Sequence, residues 1–381
     1  MRIGIVGTTW PYRGGLTAFN ERIARELIAE GHDVQIFTFT MQYPDFLFPG
    51  TTQYSDLPKP EDLAITRTMN SINPISWIRT ARAIRRAGIE LVIIKFWIPL
   101  MAPCLGTIAR LCRRKGIRVV SILDNVIPHE PHFWDKWLIR YFIGSVDRFV
   151  AMSASVQRDC RRFLPASRQN DVDLTPHPLY DNFGQAVDKQ TAREHLGLPQ
   201  DKTILLFFGF IRDYKGLDLL MKAYAKVKGE RLKVKEEPLL VVAGEFYNNG
   251  EQYQALEKEL GLEGRIEWRT SFIADEEVRY YFCAADMIVQ PYKTATQSGV
   301  TQIAYHFERP MLVTDVGGLA EIVPDGKVGY VCDVDEDKIA QALTQFVQMS
   351  DEERETAFHA NIQAEKQKYA WSKMTEKVVG R

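Results

Sequence analysis

Short apolar runs alternate with stretches of helical period along the whole chain. Arg2–Gly7 is apolar after its first residue and predicts a buried strand. A glycine-bearing loop follows, and then an amphipathic helix over about Leu16–Glu30. Gly31-His32 stops that helix, and Asp33–Phe39 predicts the next strand. Glu90–Lys95, Arg118–Leu123 and Asp147–Met152 repeat the strand signal, with a basic helix over Ile75–Ala87 ahead of them. Runs that are apolar on both faces and separated by helices belong to a parallel sheet covered on both sides.

The pattern breaks between Asp173 and Asp201. Pro176-His177-Pro178, Asn182 and Gly184 make a stiff connector, and a short helix then ends near Leu196-Gly197. A second alternation runs through Thr203–Gly209, Pro238–Gly244, Ile266–Trp268, Asp286–Pro291, Pro310–Asp315 and Val328–Val334. Two doubly wound α/β domains of similar size, joined near residue 180, account for this order. From Glu352 the tail reads as helical, with Trp371 as an aromatic anchor. No repeat of the length used by solenoids is present.

The 381 residues, 45% apolar and 25% charged, are those of a globular protein too long for one core. A formal charge of −1 gives no general affinity for nucleic acid, which is not an expected partner. The balance is uneven. Up to Tyr180 there are 23 basic and 16 acidic residues, and between Arg67 and Arg118 there are 11 basic residues against the single acid Glu90. The first half is therefore expected to meet something anionic. Solvated helix faces explain Arg79, Arg82, Arg85, Arg86, Arg110, Arg113, Arg114, Lys115 and Arg118 equally well. The alternative is docking on anionic lipid headgroups or a lipid-linked glycan, to which Trp77, Trp97 and Trp134 would add contact.

Five cysteines (Cys104, Cys112, Cys160, Cys283, Cys332) form no CxxC and read as buried apolar thiols of a reducing compartment. Met1-Arg2 leads straight into Ile3–Gly7, too short for a signal h-region. No stretch reaches the ~18–20 apolar residues of a membrane span. Phe96–Ala109 comes nearest and reads as a buried or interfacial segment. A cytoplasmic location is expected, with peripheral attachment to the inner face of a membrane as an addition.

In open α/β sheets, ligands gather at the carboxyl ends of strands, so the loops there carry the information. The first, Gly7-Thr-Thr-Trp-Pro-Tyr-Arg-Gly-Gly15, does not fit GxGxxG, and Asp33 begins the second strand instead of ending it. Both facts disfavour a nicotinamide site. Gly14 and Gly15 either form a plain tight turn or admit a ligand to bare backbone at a helix start. In the second domain, Gly209-Phe-Ile-Arg212-Asp-Tyr-Lys215-Gly216 places two cations just beyond a strand end. They suit a diphosphate, Arg as a fork and Lys as a point charge, unless the loop is merely solvated. A third loop, Gln290-Pro-Tyr-Lys-Thr-Ala-Thr-Gln297-Ser298-Gly299-Val300-Thr301-Gln302, leads into a helix ending near Glu308. Its small residues leave the amides of Ser298–Val300 for an anion. Pro310–Asp315, Gly317-Gly318 and Glu321 supply another strand-loop-helix turn.

The order Gly-Phe-Ile-Arg-Asp-Tyr-Lys-Gly, then Gln-Ser-Gly-Val, then Pro-Met-Leu-Val-Thr-Asp-Val-Gly-Gly-Leu-Ala-Glu resembles the donor domain of family 4 retaining glycosyltransferases. Over the rest of the chain, Gly14-Gly15 with Gly31-His32-Asp33-Val34 resembles their first strand-helix-strand unit, and Pro176-His-Pro their linker. The resemblance implies the GT-B fold: two Rossmann-like domains facing across a cleft, with a C-terminal helix crossing back to the first. An acceptor domain of residues 1–178 plus 366–381, and a nucleotide-sugar domain of residues 179–365, are expected. Arg212 and Lys215 match the pair that binds the donor diphosphate and carries catalysis, Ser298-Gly299-Val300 the loop whose amides hold it, and Gly209 the glycine beneath it. Glu245 lies where the base pocket forms. On the acceptor side the expected contacts are Gly14, Gly15, Asp124 and His129, with His129 also a catalytic candidate.

The chain departs from the family in two places. The family's pair of glutamates around the phosphate-loop helix falls here at Ala295 and Ile303, leaving Gln297 and Gln302 as the nearest polar substitutes. After Arg118–Leu123, where relatives place a histidine, this chain has Asp124-Asn125. No Asp-x-Asp follows a strand of the donor domain; Asp171-Val-Asp173 has that spacing but reads as solvated linker acids. No metal and no resident cofactor are therefore expected. His32, His195 and His359 read as surface or turn residues, and His306 as packing. The activity implied is sugar transfer from a nucleotide diphosphate to an acceptor hydroxyl with retention, in cell-surface glycan or glycolipid assembly. A non-catalytic nucleotide-sugar-binding partner protein and a nucleotide-sugar epimerase of the same fold are the alternatives.

Overall fold

Two wholly parallel sheets carry the chain. The computed structural model describes the protein outside residues 45–52, 56–57, 129–131, 228–236, 248–249, 296–297 and 381. His129 and Gln297 thus lie outside the described residues. The chain divides into two units, Met1–Pro178 with Ala370–Arg381, and Leu179–Tyr369. Lys366–Tyr369 therefore belongs with the second unit, not with the returning tail.

In the first unit, β1 (Arg2–Val6), α1 (Gly15–Ala29), β2 (Asp33–Met41), β3 (Ala64–Asn70), α2 (Pro74–Arg86) and β4 (Leu91–Phe96) come first. Then follow α3 (Ala102–Arg113), β5 (Arg118–Leu123), α4 (Asp135–Ile143), β6 (Arg148–Ala151), α5 (Ala154–Arg161) and β7 (Val172–Leu174). The strand order is β3-β2-β1-β4-β5-β6-β7. Every residue of β4 is buried, Lys95 within its otherwise apolar run included. Sequence reading misses β3 and gives only a strand start, at Asp171–Asp173, for β7. The edge strand β3 buries only two of its seven positions and carries no apolar run; β7 has only three residues. β7 also corrects the reading of Asp171 and Asp173 as solvated linker acids, since Arg168 Nε holds Asp171 at 2.5 Å and Arg148 holds Asp173.

One face of this sheet is covered by α2, α3 and α4 through Ile84, Leu105, Ile108 and Phe142. Phe96–Ala109 runs through that layer and is internal apart from Leu100. The basic stretch divides. Arg110 lies 4.5 Å over the Tyr141 ring, Arg113 Nε meets Asp147 at 2.6 Å, and Arg118 donates to the Val379 carbonyl at 2.8 Å, so these three are internal ties. Arg79, Arg82, Arg85 and Arg86 stay exposed on α2. Trp77 and Trp97 are spent on Asn70 O and Tyr43 Oη, whereas Trp134 is exposed. His32, read as a surface residue, is buried beside Glu30.

The second unit contains α6 (Lys189–Leu196), β8 (Ile204–Phe208), α7 (Leu217–Ala225), β9 (Leu239–Ala243), α8 (Glu251–Glu259), β10 (Ile266–Arg269) and α9 (Asp275–Ala284). It continues with β11 (Met287–Gln290), α10 (Gly299–His306), β12 (Met311–Thr314), α11 (Leu319–Ile322), β13 (Gly329–Cys332), α12 (Glu336–Gln348), α13 (Asp351–Arg354) and α14 (Ala360–Lys366). Its order, β10-β9-β8-β11-β12-β13, is that of a doubly wound nucleotide-binding sheet, with the order reversing between β8 and β11. The last helix, α15 (Trp371–Val379), packs on α1 of the first unit, where Trp371 lies 5.0 Å from the Phe19 ring. Four of the five cysteines are buried, and burial pushes Cys104, Cys112 and Cys160 up to about 12. Among the described residues no helix is long and apolar enough to cross a membrane.

Candidate functional site

The second unit's candidate residues gather where its strand order reverses. β8 ends at Gly209, whose φ of 96° suits glycine, and its amide donates to Ala243 O of β9 at 2.8 Å. Gly244, at φ 135°, packs so closely that a side chain there would start 2.5 Å from Gly209 O. Two strand ends thus meet through two glycines and leave bare backbone between them.

The loop that follows is pinned in steps. Ile211 is buried; its amide donates to Glu245 O at 2.8 Å and its carbonyl accepts from Tyr247 N at 3.0 Å. Arg212 is exposed, with its guanidinium 3.8 Å above the Tyr247 ring, a contact that orients the cation without neutralising it. Asp213–Lys215 is a tight turn closed by Lys215 N on Arg212 O at 2.9 Å. Gly216, at φ 70°, lies so near the loop after β11 that a Cβ would fall 2.0 Å from Pro291 O.

Lys215 is the centre of the arrangement. Its Nζ lies 2.9 Å from where a Cβ on Gly209 would project, and 5.7 Å from the centroid of the buried Tyr292 ring. Among the described residues no carboxylate pairs with Lys215 or Arg212. Burial first, and the Arg212 charge second, push the Lys215 ammonium down to about 8. The site is a half-buried cation that lacks a counter-charge.

The same point above Gly209 is 4.0 Å from Val300 Cγ2, so the first turn of α10 and Lys215 share one hollow. Ser298 caps that helix, and its Oγ accepts from Val300 N at 3.2 Å and lies 3.3 Å from Tyr292 Oη. This corrects one expectation, because the Val300 amide is already satisfied. Helical geometry leaves the amides of Gly299 and Thr301 in the first turn for an outside acceptor. Gly299 is needed here, since a Cβ would lie 3.0 Å from the Tyr180 ring.

Gln302 is a second correction. It is 1% exposed and enclosed, and neither atom of its amide has a partner among the described residues. Ile303 is buried in the core and Ala295 packs against it, so neither position offers a place for a free carboxylate. Glu245 is half-buried directly beyond Gly244, beside the Arg212 loop. His306, as expected, packs, with Nε2 3.0 Å from Gly184 O.

In the first unit, Gly14 and Gly15 are exposed at the start of α1, with open space around both. Asp124 is not a free acceptor contact, because its Oδ1 lies 3.1 Å from Nζ of the buried Lys95. Lys95 also lies 3.2 Å from the Phe19 ring centre. Burial pushes Asp124 up and Lys95 down, each opposed by the other's charge. Burial and Lys95 together press His177 down to about 3, so it is neutral, its Nδ1–H donating to Pro178 O at 2.7 Å. Sequence reading missed Lys95, though a lysine inside the all-apolar run of β4 was a visible signal. Among the described residues no group of three or more His, Cys, Asp or Glu side chains is placed to hold a metal ion.

Two family models match this chain: Glycosyltransferase Family 4 over residues 13–177 and Glycosyl transferases group 1 over residues 188–364. A D-inositol 3-phosphate glycosyltransferase of Streptomyces avermitilis is 30% identical over 193 residues, 50% of this chain and 41% of that protein. One from Streptomyces coelicolor is 28% identical over 216 residues, 56% of this chain and 45% of its own. The chain thus spans less than half the length of the curated relatives it matches. Among solved structures, the apo lipopolysaccharide outer core galactosyltransferase WaaB aligns with a TM-score of 0.70 at 13% identity, covering 100% of this chain and 99% of that one. Anabaena HepE in complex with UDP gives 0.71 at 15%, covering 100% and 99%. These likenesses show the GT-B fold. With both models matched in series, one on each unit, the chain belongs to the family 4, group 1 glycosyltransferases.

Proposed function

We propose that the protein transfers a sugar from a nucleotide diphosphate to an acceptor hydroxyl with retention of anomeric configuration. The observation that carries this reading is the convergence of Lys215 and the first turn of α10 on the bare backbone of Gly209, with no carboxylate paired with the lysine among the described residues. Such a hollow has the charge and the donors for a diphosphate. The structural neighbour HepE has been obtained with UDP and with UDP-glucose, which supports a nucleotide-sugar as the ligand.

The chemistry then follows from charge. As the bond from the anomeric carbon to the diphosphate lengthens, negative charge accumulates on the leaving oxygen. Lys215, Arg212 and the amides of Gly299 and Thr301 meet that charge where it develops. An oxyanion-hole donor in such a place is worth ~3–4 kcal/mol. Among the described residues no carboxylate or thiol stands ready as a nucleophile in this hollow. The acceptor hydroxyl therefore attacks on the face the diphosphate leaves and gives its proton to a phosphate oxygen. The two cations do the work a divalent ion does elsewhere, so metal is not required. The acceptor is assigned to the first unit, with Gly14-Gly15 as its open backbone.

A thermal-shift panel of UDP, GDP, ADP and their sugars tests the binding part, since a ligand selective for the folded state raises its stability by mass action. Donor hydrolysis and transfer by Arg212→Ala and Lys215→Ala test the chemistry. Stabilisation by one nucleotide and turnover reduced at least a hundredfold in both variants are expected. Normal turnover in both would overturn the enzyme reading. Binding without any turnover in the parent protein would leave a nucleotide-sugar-binding partner protein.

A further inference from the structure

We propose that the first unit docks on an anionic lipid bilayer through the helix ends at the carboxyl edge of its sheet. The observation is an exposed apolar rim. Ile75 is 60% exposed, Leu100 52%, Phe133 79%, Trp134 43% and Trp137 69%. Side chains of this size are seldom left in water together without a use. They come from neighbouring elements. α3 touches both α2 and α4, and the turn Pro99–Met101, which carries Leu100, touches α3 and α4. Each of these helices follows a parallel strand, β3, β4 or β5, so their amino-terminal ends lie at the same sheet edge.

Cations continue the same exposed faces. On α2, Arg79 and Arg82 follow Ile75 at helical spacing, and on α4, Lys136 and Arg140 flank Trp137; all four are exposed. Among the described residues of these elements no exposed acid offsets them. α2 and α3 contain no acid, and Glu90 lies at the opposite sheet edge, where it accepts from Arg2 N at 2.7 Å. Asp135, the acid of α4, is buried and accepts from His132 N at 2.7 Å. Glu130 lies outside the described residues.

This chemistry selects the partner. The core of a protein interface is depleted of charge and shaped as a pocket or groove. Here aromatic and aliphatic tips project from the ends of separate elements and alternate with guanidinium and ammonium groups. Indole and phenyl rings settle at the headgroup level of a bilayer, and the cations gain from its anionic surface. The proposal does not rest on the transferase reading, for none of these side chains belongs to the diphosphate hollow of the second unit and the docking is read without activity.

Co-sedimentation of the full chain with vesicles of phosphatidylcholine, alone or mixed with phosphatidylglycerol, tests it. Association with the mixed vesicles, weakened by added salt, is expected. Arg79→Ser and Arg82→Ser are each expected to lower the apparent affinity about fivefold, and Phe133→Ser with Trp137→Ser at least tenfold. Because all four positions are exposed, unchanged thermal unfolding verifies the fold of each variant. No association with either vesicle, or association that these substitutions leave intact, overturns the proposal. So does a concentration-dependent dimer abolished by Trp137→Ser without vesicle binding, which would assign the rim to a second copy of the chain.

Discussion

Replacing Lys215 by Met should make the free protein more stable while removing its ligand. The ammonium is pushed from 10.5 down to about 8, first by burial and then by Arg212. At ~1.36 kcal/mol per pH unit, holding that charge in the folded state costs on the order of 3 kcal/mol at neutral pH. Methionine keeps most of the apolar stem and carries no charge, so Lys215→Met gains up to about 3 kcal/mol. The pH dependence gives the argument its sign. Between about 8 and 10.5 the unfolded chain holds the Lys215 proton that the folded chain has released. Stability of the parent protein therefore rises across this window relative to the variant. The advantage of Lys215→Met is complete below pH 8 and gone near 10.5. Urea titrations of both proteins at intervals from pH 7 to pH 10.5 measure it directly. A variant less stable than its parent at pH 7, or a gap that ignores pH across the window, would refute the reasoning. The same lysine predicts that UDP binding takes up a proton near pH 8, read calorimetrically in two buffers of different ionisation enthalpy. UDP affinity of the parent should fall as pH rises past that point.

Other consequences follow from particular contacts. Gly216→Ala should cost at least ~2 kcal/mol and weaken UDP binding, because its Cβ would enter the Pro291 carbonyl, 2.0 Å away. Gly261→Ala, also at positive φ but in open space, should cost only ~1 kcal/mol, and equal losses in chemical denaturation would contradict the packing argument. Asp286→Ala should destabilise by ~3–5 kcal/mol, since it strands the buried Arg193 guanidinium 2.7 Å away and frees Lys189 and Ile204 N as well. Transfer activity should survive EDTA unchanged; loss of turnover, restored by Mg²⁺ or Mn²⁺, would show that the cations do not suffice.

What the sequence made legible followed the hydrophobic pattern. Strands buried on both faces, such as Leu239–Ala243, appear as apolar runs, and every run read as a strand became one. Ala64–Asn70 was hidden because an edge strand with one partner need not be apolar. In the site, the spacing Gly209, Arg212, Lys215, Gly216 carried the loop's purpose, since two cations three apart between two glycines at a strand end are conspicuous in a linear sequence. Which partner each group takes was not legible. That Ser298 spends itself on the Val300 amide, that Gln302 turns inward, and that Asp124 is claimed by Lys95 all depend on contacts between segments distant in the chain or on the rotation of one helix. Charge totals stayed ambiguous for the same reason: that Arg110, Arg113 and Arg118 serve neither a solvated face nor a docking surface alone is seen only in their partners on α4, beyond it and in the tail.

Among the described residues no carboxylate pairs with Lys215 or Arg212, and this bears on how the proposed reaction gains its rate. A nucleotide sugar and the free nucleotide share one diphosphate, but the free form carries an additional negative charge once the sugar has left. An uncompensated pair of cations distinguishes the two, and it favours the later one. Placing a carboxylate at Ile303, in the core behind the first turn of α10, would desolvate that carboxylate and weaken the very field that favours departure. A helix with an apolar Ile303 and an enclosed Gln302 therefore concentrates its binding energy on the charge that appears in the transition state, which is where it accelerates the reaction. The corollary is tighter binding of UDP than of UDP-glucose, with release of the nucleotide as the slow step, and a calorimetric comparison that ranks them the other way would remove the electrostatic basis of the mechanism.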